Sequence, residues 1–134
     1  MSPRVTTSNP ATIHGPPGGA YTHVAVTKPA AQIVEIAGQA GFTVTGAISE
    51  EFGQQVHQSF ANLKAALESV GATPEDLTKL RYYVKDFDVT KLQELRPAIQ
   101  AFYGTTHRAP SIIIPVPTLF DPRVDFEVEA SAAL

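Results

Sequence analysis

Apolar positions recur along this chain with two different periods, and the change of period divides it into elements. From Ser49 onward, Val56, Phe60, Leu63, Leu67 and Val70 follow one another at steps of four, three, four and three residues. Those steps hold them on one stripe of a helix, which must be packed on something. Ser49 reads as its N-cap, Glu50 and Glu51 complement the helix dipole, and Gly71 followed by Pro74 stops it. Between Leu77 and Lys85 the period falls to two, which predicts a strand. Leu80, Tyr82 and Val84 share one face of it; Lys79, Arg81, Tyr83 and Lys85 share the other. A second helical stripe follows at Leu92, Leu95, Ile99 and Phe102, capped by Asp86 or Asp88 and ended by Gly104. Pro97 falls inside it, either as a kink or as the first residue of a separate helix.

The remaining pattern is that of strands and turns. Residues Met1 to Gly19 are rich in Pro, Thr, Ser and Gly, which excludes a helix and favours extended chain. Tyr21 to Lys28 and Gln32 to Gly38 predict two strands of a hairpin, and Gly41 to Thr45 a short third strand. Ile112 to Val116 is a near-continuous apolar run and predicts a fully buried strand. Beyond the turn at Asp121-Pro122, the span Arg123 to Ala130 alternates Val124, Phe126 and Val128 with Asp125, Glu127 and Glu129. That acidic face complements the basic face of Leu77 to Lys85. Interleaved strands and helices, with hairpins at both ends, predict an α+β sandwich: a mixed sheet with two helices on one face. Its other face is then open to oligomer contacts.

Composition narrows the function classes. The 134 residues make one domain spanning 1–134, large enough to bury a core. A net charge of -3 without any Lys/Arg run argues against a phosphate-tracking surface, so no nucleic-acid partner is expected. There is no cysteine, and His14, His23, His57 and His107 share no spacing that converges on a metal. No apolar run is long enough to span a bilayer, and no basic segment precedes an apolar one at the N-terminus. A cytoplasmic protein without a membrane partner is the expectation.

Candidate chemistry gathers at Thr105-Thr106-His107-Arg108-Ala109-Pro110-Ser111, where a helical pattern passes into a strand. Such connections are where ligands meet polar groups. A guanidinium there can fork onto a carboxylate with two parallel hydrogen bonds. Read alone, Arg108 is also a solvated loop arginine, and Ser111 the first residue of a strand. Arg81 and Arg96 are further cations, each open to ordinary salt bridging. Gln55 and Asn62, on the first helix, read as structural.

Five local motifs in order add a resemblance. Gly18-Gly19-Ala20-Tyr21-Thr22-His23, Ala37-Gly38-Gln39, Gln55 with Asn62-Leu63-Lys64, Val84-Lys85-Asp86 and Glu127-Val128-Glu129-Ala130 resemble successive motifs of one family. It is the reactive-intermediate deaminase family, also called YjgF-like or Rid, and the likeness runs from about Asn9 to Ala133. The resemblance implies a chorismate-mutase-like fold and a homotrimer with three intersubunit clefts. It implies cofactor-free hydrolysis of enamines and imines to a keto acid and ammonia. In the family an arginine holds the substrate carboxylate and a glutamate on the last strand positions the attacking water. Glu127 matches that glutamate and Tyr21 the family tyrosine.

The chain also departs from the pattern. Pro110 stands before Ser111 where the deaminases carry arginine, Ala37 replaces the serine of Ser-Gly-Gln, and Arg96 falls about where active forms have asparagine. Arg-Ala-Pro-Ser looks like the family's divergent branches, whose chemistry is mixed. The expected set is therefore Arg108 and Glu127 as catalytic residues, with Tyr21, Arg81, Arg96 and Ser111 binding a small carboxylate or carbonyl compound. Neither cofactor nor metal is expected. A non-catalytic, metabolite-binding regulatory trimer is the alternative. An endoribonuclease or translation inhibitor, an older description attached to the family, sits poorly with the acidic balance.

Overall fold

A computed structural model describes residues 4–134; of the extended N-terminal segment expected from sequence, positions 1–3 lie outside the described residues. Strand β1 (Val5–Ser8) pairs antiparallel with β2 (Val24–Thr27) in a separate two-stranded sheet. The main sheet is built from β3 (Ile33–Ala40), β4 (Leu77–Lys85), β5 (Ser111–Val116) and β6 (Phe126–Ala133), in the order β3-β6-β4-β5. The two junctions made by β6 are antiparallel, and β4 and β5 run parallel. Helix α1 (Phe52–Ser69) packs on β3 and β6, and α2 (Val89–Tyr103) lies against α1. The α2 crossover is what makes β4 and β5 parallel, since two parallel strands need a connection of this length. The result is the expected α+β architecture, two helices on a mixed sheet.

The core lies between helices and sheet. Val56, Phe60, Leu63 and Leu67 of α1 are buried against Leu80, Tyr82 and Val84 of β4 and the inward face of β6. Phe60, Tyr82 and Phe126 form an aromatic knot with ring centroids 5.9 to 6.1 Å apart. Such contacts bury large apolar area and hold ring orientation. Two polar side chains on α1 tie it to the sheet. The Gln55 side chain is fully buried; its amide donates to the Ser49 and Arg123 carbonyls at 2.9 Å each and its oxygen accepts from the Asp125 N–H at 2.9 Å. Asn62 donates to the Ala40 and Phe42 carbonyls, both at 2.9 Å. Their expected structural roles hold.

Several expectations are corrected. The Tyr21–Lys28 and Gln32–Gly38 segments do not form a hairpin. The Lys28 N–H donates to the Arg4 carbonyl, whereas Ala31 and Gln32 donate to the Leu134 carbonyl, so the chain is handed from one sheet to the other between them. The β-branched run Val5-Thr6-Thr7 supplies the strand that β2 pairs with, hidden in sequence by its proline-rich surroundings. Gly41–Thr45 is not a strand. Thr43 N–H donates to the Ala47 carbonyl, Gly46 (φ 86°) turns the chain, and only an isolated Phe42–Ile48 bridge remains.

Ser49 is not the N-cap of α1. Its hydroxyl accepts from the Glu51 N–H, and Glu51 is the cap residue, its own side chain making no capping bond. Val70 lies past the helix end and is 45% exposed, because the chain turns away at Gly71 (φ 77°). Of the two candidate caps for α2, Asp88 accepts from the Thr90 and Lys91 N–H groups, and the helix runs unbroken through Pro97. Finally, β5 is not fully buried, nor does it form a hairpin with β6. It is an edge strand whose Ile112 is 50% exposed, because β6 inserts on the far side of β4. The last strand itself begins at Phe126 rather than Arg123 and runs on to Ala133.

Candidate functional site

The residues singled out from sequence fall on two sides of the sheet. On the helix side, the segment before β2 folds over the start of β5. A single 3-10 turn at Pro17–Gly19 is allowed by Gly18 and Gly19, both at φ 63°. The Thr22 hydroxyl then donates to the Arg108 carbonyl at 2.6 Å and ties this segment to the loop before β5. Gly18 lies against Arg96: a Cβ there would stand 3.5 Å from the Arg96 Nε.

Two adjoining cavities of about 460 and 370 Å³ open between that turn, α2 and β5, sharing Ala20, Arg96 and Ile99 in their walls. The larger also takes in Arg108 and Gln100; the smaller takes in Tyr21, Tyr82 and Ser111, with Leu92 and Ile113 as apolar wall. The two arginines differ in their commitments. The Arg108 guanidinium donates to the Gln100 Oε1 and sits 5.8 Å from the Tyr103 ring centroid, which holds it along α2. The Arg96 side chain makes no hydrogen bond and no ion pair among the described residues. It precedes Pro97, whose ring nitrogen cannot donate to the Gln93 carbonyl, and Gln93 also borders the larger cavity.

Tyr82 was expected in the core and is there, but its hydroxyl is unusual. It is buried and has no hydrogen-bond partner among the described residues. Burial drives its pKa well above the ordinary tyrosine value, and the Tyr103 phenol adds to the rise. The nearby Ser111 hydroxyl and Arg108 guanidinium oppose that rise, although Ser111 does not meet the geometry of a formed bond. The phenol is therefore a neutral donor at neutral pH. The signal for it was present in sequence: a tyrosine on an apolar strand face must find a partner for its hydroxyl.

The opposite side of the sheet carries a charged lattice. As expected, the basic face of β4 meets the acidic face of β6, with Arg81 opposite Glu129 and Tyr83 opposite Glu127. Arg81 lies 3.7 Å from Glu129, Lys85 lies 4.0 Å from Asp125, and the Tyr83 hydroxyl donates to Glu129 at 2.6 Å. Glu127 has no cation partner among the described residues. Its side chain lies over Gly38, where a Cβ would come within 1.9 Å of its Oε1, so only glycine at that position leaves room for the carboxylate. Partial burial raises the Glu127 pKa, and the adjacent Glu129 carboxylate raises it further. Gly38 was part of a matched motif, but this cradling of Glu127 was not legible from sequence because it depends on a bulge between Ile36 and Gln39.

The structure thus brings together Tyr21, Arg96, Ser111 and Arg108 around one groove. It places Arg81 and Glu127 on the other face of the sheet. The carbonyl of Pro110, the residue before Ser111, accepts from the Leu80 N–H at 3.0 Å, opening the β4–β5 ladder. Among the described residues no group of three or more His, Asp or Glu side chains could hold a metal ion, and no helix is long and apolar enough to cross a membrane.

Comparison with known proteins agrees with the architecture. The structure is similar to that of YyfB from Yersinia pestis, a Rid-family protein of unknown function, with TM-score 0.92 and 30% identity over 98% of this chain and 99% of that one. It is similar to RidA from the Antarctic bacterium Psychrobacter, with TM-score 0.67 and 26% identity over 76% of this chain and 80% of that one. The fold is also shared with Escherichia coli TdcF, whose structure holds bound serine, with TM-score 0.71 and 21% identity over 78% and 82% of the two chains. No curated protein sequence gives a significant match. The family model described as Endoribonuclease L-PSP matches residues 12–134, and with it the chain belongs to the YjgF/Rid family.

Proposed function

We propose that this protein is a homotrimer whose intersubunit clefts take a small carboxylate or carbonyl compound and hydrolyse an enamine- or imine-type C–N bond without a cofactor. The observation that carries the reading is the Arg96 guanidinium, uncommitted among the described residues, at the wall of a groove shared with Arg108, Tyr21 and Ser111. A guanidinium in that setting matches a carboxylate through two parallel N–H donors. That serine, itself a small carboxylate, occupies TdcF supports the ligand class. Glu127 cannot reach this groove from its own chain's sheet face, so a neighbouring copy supplies it. This is why an assembly belongs to the proposal.

In the reaction, water adds to the imine carbon while Glu127 takes its proton. Starting from the protonated imine, this gives a carbinolamine; Glu127 returns the proton to its nitrogen, which leaves as ammonia while the carbinolamine hydroxyl gives its own proton to the freed carboxylate, and a carbonyl remains. The raised pKa of Glu127 suits both halves of that exchange. On this reading the trimer works in the cytoplasm, with no metal, membrane or nucleic-acid partner. The net charge of -3 and the paired charges on the open face give a polyanion little to hold.

A second reading, a trimer that binds the metabolite without turning it over, is favoured by one observation. Pro110 stands where the deaminases carry arginine, as in the divergent branches the chain resembles. An assay of 2-iminobutanoate hydrolysis, the imine generated by an amino-acid oxidase, separates the two beside Arg96→Ala, Arg108→Ala and Pro110→Arg. The catalytic reading expects weak turnover in the unmodified protein, raised by Pro110→Arg and abolished by loss of the arginine that holds the carboxylate. Calorimetric binding of a small carboxylate with no turnover in any form would establish the regulatory reading. Absence of both binding and turnover would remove both.

A further inference from the structure

Resting on the reading that Arg96 holds a carboxylate, we infer that the groove takes a ligand with a second anionic group, which Arg108 meets. In the proposed reaction the substrate is then an enamine or imine bearing two acidic groups, not a 2-imino acid with a neutral side chain. Arg96 and Arg108 both border the larger cavity, of about 460 Å³. Among the described residues, no Asp or Glu side chain borders that cavity or the adjoining one. None of the three ion pairs among the described residues involves either arginine. Arg108 donates only to a neutral side-chain oxygen, Gln100 Oε1. The groove therefore concentrates two uncompensated cations in a chain whose net charge is -3. A single carboxylate answers one of them and leaves the other, since each guanidinium can fork onto an anion of its own.

The way Arg108 is held points the same way. Gln93, Arg96 and Gln100 follow one another at steps of three and four along α2, so they share the helix face that borders this cavity. The Gln100 amide nitrogen donates to the Gly104 carbonyl at 3.4 Å, which leaves its oxygen for the Arg108 guanidinium. The Tyr103 ring, with its centroid 5.8 Å from the guanidinium carbon, is a second hold. Both holds are neutral. A carboxylate in place of the Gln100 amide would cancel the charge of Arg108, whereas the amide fixes the guanidinium and leaves its charge for a ligand. Glu127 of the neighbouring copy does not alter this balance. In the proposed reaction it faces the imine, whose protonated nitrogen carries a positive charge of its own.

The test is calorimetry on the intact protein, at low and fixed ionic strength, with free glutamate beside glutamine and free aspartate beside asparagine. Each pair differs in the second charge alone, and the shared ammonium stands for the protonated imine. A second anion site predicts that at least one acid binds about five-fold more tightly than its amide, the worth of one partly exposed charge pair. Adding 2-amino-4-phosphonobutyrate distinguishes the anion: tighter binding than glutamate would name a phosphate-type group, weaker binding a carboxylate. Arg108→Gln should bring the acid-to-amide ratio to near unity. Gln100→Glu should do the same with the guanidinium still present, which keeps the test independent of how any one variant folds. Arg96→Gln should weaken acid and amide alike. Arg96-dependent binding of acids and amides with equal affinity would overturn the inference and leave the carboxylate reading standing. So would an acid preference that survives Arg108→Gln. Failure of every compound to bind would overturn the carboxylate reading and the inference with it.

Discussion

The two faces of the main sheet use the same strands for different ends. On the helix-covered face, Leu80, Tyr82 and Val84 alternate into a core closed within one chain. Their neighbours Arg81, Tyr83 and Lys85 alternate onto a face that no helix covers, where they pair with β6. Among the described residues the covered face leaves one buried side-chain polar atom without a partner, the Tyr82 hydroxyl. On the open face Arg81 and Lys85 pair with Glu129 and Asp125, whereas Glu127 and Lys79 have no ion-pair partner among the described residues. The Tyr82 hydroxyl and the Glu127 carboxylate, one on each face, lie beside the residues that geometry or family resemblance marks out. Stability is written on one face; the proposed assembly and chemistry belong to the other and to the groove where β5 begins.

Substitutions should break that division in order of size. Leu63→Ala, on the fully buried stripe of α1, should cost about 2–5 kcal/mol, as truncation of a buried leucine does. Urea unfolding measures it, and a loss below about 0.5 kcal/mol would mean the stripe is not core. Gln55→Ala leaves two carbonyls and one N–H of the α1–sheet junction without their partner. It should cost about 1–3 kcal/mol in the same experiment.

On the open face the expected losses are functional. Gly38→Ala forces the Glu127 carboxylate aside, because the new Cβ would lie 1.9 Å from its Oε1. The flexible carboxylate tip can move, so stability should change by less than about 1 kcal/mol while turnover falls toward that of Glu127→Gln. Thermal melts beside the imine assay separate the two effects. Glu127→Gln itself should give a small gain in stability at neutral pH. Its folded pKa is raised by burial and by Glu129, so the charged form is the disfavoured one in the fold. The folded state then binds its proton more tightly than the unfolded chain does, and that advantage is complete below the ordinary glutamate range. It is lost as pH rises through the raised value, and the Gln variant should therefore gain only above it. Melts across pH 4 to 8, a range of about four units around that transition, would show the gain appear. The smallest effect belongs to Tyr82→Phe, which removes an unpartnered hydroxyl and should leave stability within about 0.5 kcal/mol, with any change a gain.

What could be read in advance follows from how local each signal is. The α1 stripe and the alternation of β4 depend only on neighbours in sequence, and both elements lie where their periods put them. Pairing is not local. The partner of β2 proved to be a Thr-rich segment before a proline-rich loop, and β5 looked buried because its run of isoleucines says nothing of its place at a sheet edge. The site divides the same way. Arg108 and Ser111 could be named as polar groups at a helix-to-strand connection, Arg96 as a further cation, and Tyr21 by its resemblance to the family tyrosine. That they share one groove depends on the Thr22–Arg108 tie across 86 positions. Tyr82 was assigned to the core by its period, correctly, and the same assignment concealed its hydroxyl.

The claim on which the account turns is that one chain holds the guanidinium groove and another the Glu127 face. Sedimentation equilibrium at micromolar concentration tests it without any assumption about substrate. The account predicts a single species of three times the chain's 14.3 kDa. A species of 14.3 kDa over that range would contradict it, because Glu127 would then have no route to the groove.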